Sequence, residues 1–154
     1  MKIEYLVLAD AMNFGPEGKI NILGMGWRRV NLAQLPGPLS FSIIVSITAP
    51  PAEAGEYEGE FSLTLPDGTE EPLSRGRVVL AGAPAEAVLL SLIVGLEVNG
   101  KPFTQSGVHV VHVKVGTASA DYTFHVNAIA APAPQEPATD KTPSRRPRKA
   151  AAMP

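Results

Sequence analysis

Hydrophobic and polar residues alternate with a period of two along almost the whole chain, the mark of half-buried β-strands rather than helices. Phe41, Ile43, Val45 and Ile47 take one face of one segment, and Tyr57, Phe61, Leu63 and Leu65 keep the same beat in the next. Turn-forming groups punctuate the pattern at Pro16-Glu17-Gly18, Pro66-Asp67-Gly68 and Asn99-Gly100, where Gly or Asn supplies the positive φ of a reversal. The spacing predicts strands over 2–11, 19–30, 38–48, 56–65, 75–81, 87–97, 107–115 and 120–128. About eight short strands at such intervals point to an antiparallel sandwich or barrel. Residues 85–96 are apolar enough for a helical turn or a buried strand; Gly95 and the turn that follows favour the strand.

The last two strands can be registered from their side chains. A four-residue loop at Gly116-Thr117-Ala118-Ser119 sets Val115 opposite Ala120, Val113 opposite Tyr122, Val111 opposite Phe124 and His109 opposite Val126. The other face then pairs Lys114 with Asp121, His112 with Thr123 and Val110 with His125, giving one apolar and one polar face.

The run Gln105-Ser106-Gly107-Val108-His109-Val110-Val111 resembles the penultimate strand of an immunoglobulin-like sandwich. There a Gly opens the strand, a polar-tipped aromatic follows two residues on, and an inward core residue comes two further. His109 stands where a tyrosine is usual, and Val111 where antibody domains have a cysteine. The resemblance implies an immunoglobulin-like antiparallel β-sandwich with His109 buried against Phe124 and Val126, and it implies no task. A second resemblance lies in Tyr5-Leu6-x-Leu8-Ala9-Asp10 followed by Gly18-Lys19-Ile20-Asn21-Ile22-Leu23-Gly24-x-Gly26-Trp27. This is similar to the amino terminus of a family of small bacterial proteins classed only as a domain of unknown function. The similarity runs over residues 2–128 and implies a bacterial, cytosolic sandwich; no activity or catalytic residue comes with it.

Composition narrows the chemistry. The 154 residues fit one domain at 1–130 with an appendage at 131–154. The absence of cysteine removes disulfides, zinc–thiolate sites and thiol nucleophiles. The first ten residues carry Glu4 and Asp10 around a short apolar run, unlike a secretory signal. The longest apolar stretch, Ala87 to Leu96, is about half a membrane-spanning helix, so a cytoplasmic protein is expected. Net charge is −2, but residues 1–130 hold eight Lys/Arg against thirteen Asp/Glu, whereas residues 131–154 hold five against two. That second segment is rich in Pro and Ala and poor in large apolar residues, the composition of a disordered basic tail.

Candidate sites are few. His112 and His125 fall on one face as diagonal neighbours, but a zinc site needs a third ligand, and Asp121 lies four residues from His125. No metal or cofactor is therefore expected. Ser40, Ser42 and Ser46 alternate with core residues and read as outward sheet positions, and no Gly-x-Ser-x-Gly elbow is present. Glu56, Glu58 and Glu60 share a strand face, where like charges discourage edge-to-edge pairing. Gly24-Met25-Gly26 lacks the third glycine of a dinucleotide loop and reads as a bulge or close backbone approach. Trp27-Arg28-Arg29 is the leading surface candidate, since Trp and Arg are enriched at interface hot spots. Alternation sets Trp27 and Arg29 on one face and Arg28 on the other, with Trp27 either a core residue or an exposed binding residue. The expected function is a non-enzymatic interaction or scaffold module that binds a protein partner by a sheet face or edge. The alternative is association with a polyanion, nucleic acid or an anionic surface, through Arg145, Arg146, Arg148 and Lys149 in the tail.

Overall fold

The computed structural model describes residues 1–16, 19–81 and 88–129. Ten strands are present among them, two more than the turn signals predict: β1 (Lys2–Ala9), β2 (Ala11–Phe14), β3 (Ile20–Leu23), β4 (Arg29–Leu32), β5 (Gly37–Ala49), β6 (Gly55–Thr64), β7 (Glu70–Leu80), β8 (Leu90–Phe103), β9 (Gly107–Val115) and β10 (Ala118–Ala128). One sheet runs β1-β5-β8 and the other β4-β10-β9-β6-β7, with β2 and β3 forming a separate hairpin. All neighbours are antiparallel except β4 and β10, which run parallel, so one short mixed pair joins the antiparallel sandwich. Among the described residues no helix is long and apolar enough to cross a membrane. The tail with Arg145, Arg146, Arg148 and Lys149, and most of the Pro16-Glu17-Gly18 turn, lie outside the described residues.

The two sheets share one core. Phe41, Ile43, Val45 and Ile47 of β5 meet Phe61 and Leu63 of β6, Val111 and Val113 of β9, and Phe124 and Val126 of β10. Phe41, Phe103 and Phe124 form a mutually tilted cluster with ring centroids 6.1–6.4 Å apart. Burying each such ring contributes roughly 1.5–3 kcal/mol. The β5 and β9 alternation is thus read correctly from sequence, and His109 closes the cluster, fully buried beside Phe124 as its spacing after Gly107 implies.

Four expectations give way. The strand expected over 19–30 is split, because Gly24 at φ +65° and Gly26 at φ +82° reverse the chain between β3 and β4. The strand expected over 2–11 likewise breaks at Asp10, so that β2 and β3 fold back over the outer face of the first sheet. Met12 occupies the space that Gly95 of β8 leaves open, where a Cβ would lie 2.3 Å from its Sδ. Ser42 and Ser46, expected to face outward into solvent, are 3% and 7% exposed, as that face is also covered. Asn99-Gly100 is not a turn: β8 runs through it, with a bulge opposite β5 at which the Gly100 N–H donates to Ser40 Oγ at 2.9 Å.

The β9–β10 hairpin is tighter than expected. Its turn is the two residues Gly116 and Thr117, so Val115 faces Ala118, Val111 faces Tyr122 and His109 faces Phe124. The shift is two residues, which leaves every side chain on its expected face but changes its partner. Lys114 opposes Ser119 rather than Asp121, and Asp121 opposes His112.

Candidate functional site

The Trp27 corner is built where β1 ends. The Asp10 N–H donates to the Leu23 carbonyl at 3.0 Å, and the Gly26 N–H donates to the Leu8 carbonyl at 2.7 Å, stitching the two-glycine loop to the end of β1. The loop holds Leu23 and Met25 out in solvent, 69% and 62% exposed. Trp27 then turns inward, edge-on to Phe41 at 6.1 Å and to Phe124 at 5.6 Å. Its carbonyl accepts from the Tyr122 hydroxyl at 3.2 Å. Its indole Nε1 is buried and has no hydrogen-bond partner among the described residues. Arg28 lies over the Tyr122 ring at 5.6 Å, and its carbonyl accepts from the His125 N–H at 2.8 Å. Arg29 opens β4 and is exposed.

Beside this loop is a depression of about 480 Å³ lined by Asp10, Met25, Trp27, Arg29, Val30 and Leu39, with the Gly24 and Gly26 backbone. Trp27, Arg29 and Val30 line it and Arg28 does not; the expected alternation does not extend to Trp27, which lies before β4 and packs inward while Arg29 is level with His125 on the outer face. Trp27 is half-buried against the core and forms a wall of the depression.

On the outer face of the second sheet, Glu56, Glu58 and Glu60 lie in a row as expected, and β7 supplies the countercharges. Arg75 Nε donates to Glu58 at 2.6 Å and its terminal nitrogen pairs with Glu60 at 3.3 Å, while Arg77 pairs with Glu56 at 2.9 Å. The hydrogen bond from Arg75 holds the Glu58 carboxyl below the usual carboxylate range and raises Arg75 in turn. These are exposed ion pairs on an open face, not acids facing each other across a cleft.

The histidines separate. The tighter hairpin puts His125 opposite Val108 and His112 opposite Asp121, so the expected diagonal approach of His112 to His125 is lost. His112 instead bridges three strands: Nδ1 meets Asp121 Oδ1 at 2.7 Å and Nε2 meets Thr64 Oγ1 at 2.8 Å. Sequence reasoning missed this hydroxyl–imidazole–carboxylate line because it depends on β6 pairing with β9. It sits on β6 and β9, each paired on both sides, whose backbone N–H groups are committed to the ladder and offer no oxyanion donors. Its chemistry is that of a cross-strand clamp. Among the described residues no three His, Asp or Glu side chains are placed to hold a metal ion.

No curated protein sequence matches the chain. Among solved structures it is similar to a β-glucosidase from Listeria innocua in complex with glucose, at 15% identity and a TM-score of 0.48, over 68% of this chain and 15% of that one. The chain thus spans 15% of the length of that enzyme. It is also similar to the Pseudomonas fluorescens alkylpurine DNA glycosylase AlkC bound to DNA with an abasic-site analog, at 19% identity, a TM-score of 0.39, and coverage of 66% of this chain and 28% of that one. A superoxide reductase (neelaredoxin) from Ignicoccus hospitalis shares 18% identity over 65% of this chain and 75% of that one, at a TM-score of 0.35. Likenesses this distant bring no activity and no site to the chain. The family model that matches is that of a family of unknown function, DUF6941, over residues 4–127, and the chain belongs to that family.

Proposed function

We propose that the domain is a non-enzymatic interaction module that seats a protein partner on the Trp27 corner. The observation that carries this reading is the two-glycine loop, which holds Leu23 and Met25 out in water beside a concave wall of indole and guanidinium. Isolated exposed apolar residues are ordinary, but two large ones next to a Trp- and Arg-lined depression have the composition of an interface hot spot. The strand order supports reading the sandwich as immunoglobulin-like: β6, β9 and β10 lie side by side in one sheet against β5 and β8 in the other. A chain without cysteine suits a reducing compartment, and we read the protein as cytoplasmic.

A photo-cross-linking amino acid placed at Met25 tests the reading in the native host. The expected result is a discrete cross-linked species that disappears when Leu23 is changed to Asp and is absent when the cross-linker is placed at Val79. Equal cross-linking from both positions removes the corner from consideration. A second reading rests on the charge split between an acidic 1–130 and a basic 131–154. On it, Arg145, Arg146, Arg148 and Lys149 associate with polyanions, which a gel shift weakening steeply with salt would reveal.

A further inference from the structure

We infer that the segment seated at the Trp27 corner is a peptide carrying a carboxylate next to a large apolar side chain; this rests on the interaction reading above and names the partner's chemistry. The argument begins with the distribution of charge. Residues 1–130 are acidic, with thirteen carboxylates against eight Lys/Arg. The cations of the two sheets are mostly spoken for: Lys2 pairs with Glu4, Arg75 with Glu58 and Glu60, Arg77 with Glu56, and Lys101 with Glu71. Arg29 is different. Among the described residues no carboxylate lies within ion-pair distance of it, although Asp10 lines the same depression. A guanidinium left unpaired on an acidic domain, at the rim of a depression walled by Trp27, Met25 and Leu39, is complementary to one negative group beside one apolar group.

Two further features choose a peptide over a nucleic acid. Asp10 on the same depression repels a second negative charge, so a ligand with a phosphate at every step meets opposition where a single carboxylate does not. Asp10 can instead accept a backbone N–H, leaving the acidic side chain to the Arg29 fork, which binds carboxylates in bidentate fashion. The apolar neighbour of that acid fills the space between Met25, Trp27 and Leu39.

The test uses the full chain and a phage-displayed library of random peptides, panned in parallel against wild type and against the Arg29→Gln and Leu23→Asp variants. Circular dichroism and thermal melts establish that both variants are folded. The expected result is enrichment of Asp or Glu adjacent to an aromatic or aliphatic residue on wild type. For a synthetic peptide from that set, Arg29→Gln should weaken Kd about tenfold, as should amidation of the peptide's acid. The two changes together should weaken binding by less than their product, because each removes the same pair. Peptides that lose binding with Leu23→Asp but lack an acid, or are indifferent to Arg29→Gln, overturn this inference and leave the interaction surface standing. Peptides that depend on neither residue overturn both. A single-stranded oligonucleotide that binds wild type and loses affinity with Arg29→Gln overturns the choice of a peptide.

Discussion

His109 donates its Nδ1 proton to the Gly107 carbonyl at 3.2 Å, leaving Nε2 as an unpartnered lone pair among the described residues. The ring stacks on Phe124 at 5.5 Å and meets the edge of Phe103 at 5.1 Å. Burial pushes its pKa below the ordinary imidazole value, against smaller opposing effects from the Gly107 hydrogen bond and the Glu71 charge. The native state therefore holds this histidine neutral. Its contribution to stability is complete above the unfolded pKa of about 6.5 and is lost as pH falls through that value toward the lowered native one. Urea denaturation should show a midpoint that drops between about pH 7.5 and about pH 5.5, and His109→Phe should remove most of that drop. An equal drop in both proteins assigns the effect to other groups. His109→Ala should cost roughly 1–3 kcal/mol at neutral pH through lost packing and a stranded Gly107 carbonyl. The Gly107-x-His109-x-Val111 spacing made this residue legible, because a strand corner needs only local sequence to be recognised.

The β2–β3 hairpin covers the first sheet through Met12 seated over Gly95, so a side chain at that position strikes Met12 rather than backbone. Met12 can swing away, and Gly95→Val should therefore loosen the hairpin without unfolding the sandwich. Hydrogen exchange should accelerate in Ala11–Phe14 and Ile20–Leu23 and stay unchanged in β9 and β10. On the second sheet, changing Glu56, Glu58 and Glu60 to Gln should alter the denaturation midpoint little, since exposed ion pairs contribute little. It should increase the mass seen by light scattering, because the face beside the β7 edge loses its mixed charge. These elements also mark where sequence reading stopped. Strands β5 and β9 announce themselves because their alternation is long and one face is core. Alternation around Leu23 and Met25 carries on through a reversal that two positive-φ glycines impose. Ser42 and Ser46 read as solvent-facing because a cover supplied by another part of the chain leaves no mark on the local alternation. The Trp27 corner was singled out by residue type, whereas the His112 bridge from Thr64 to Asp121 could be seen only once β6 and β9 were paired.

Among the described residues the core runs from Leu8 to Val126. Removing residues 131–154 should leave the melting temperature nearly unchanged, as a thermal scan of the truncated and full chains would measure. If the tail carries polyanion affinity, the same truncation abolishes a gel shift at low salt, and persistence of the shift would place that affinity on the sandwich. The parallel ladder of β4 with β10 has a consequence for how the protein is made. It aligns Arg29 with His125 and Leu32 with Ala128, so a strand translated near the beginning has its one neighbour among the described strands of that sheet translated near the end. During synthesis β1 can zip onto β5 as soon as β5 leaves the ribosome, while Val30 and Leu32 wait, apolar and unpaired, for almost the whole domain to emerge. The loop that carries Leu23, Met25 and Trp27 is anchored on its far side by that same late strand. The Trp27 corner is therefore finished last, and on the proposed reading a nascent or truncated chain without β10 would not capture a partner there prematurely.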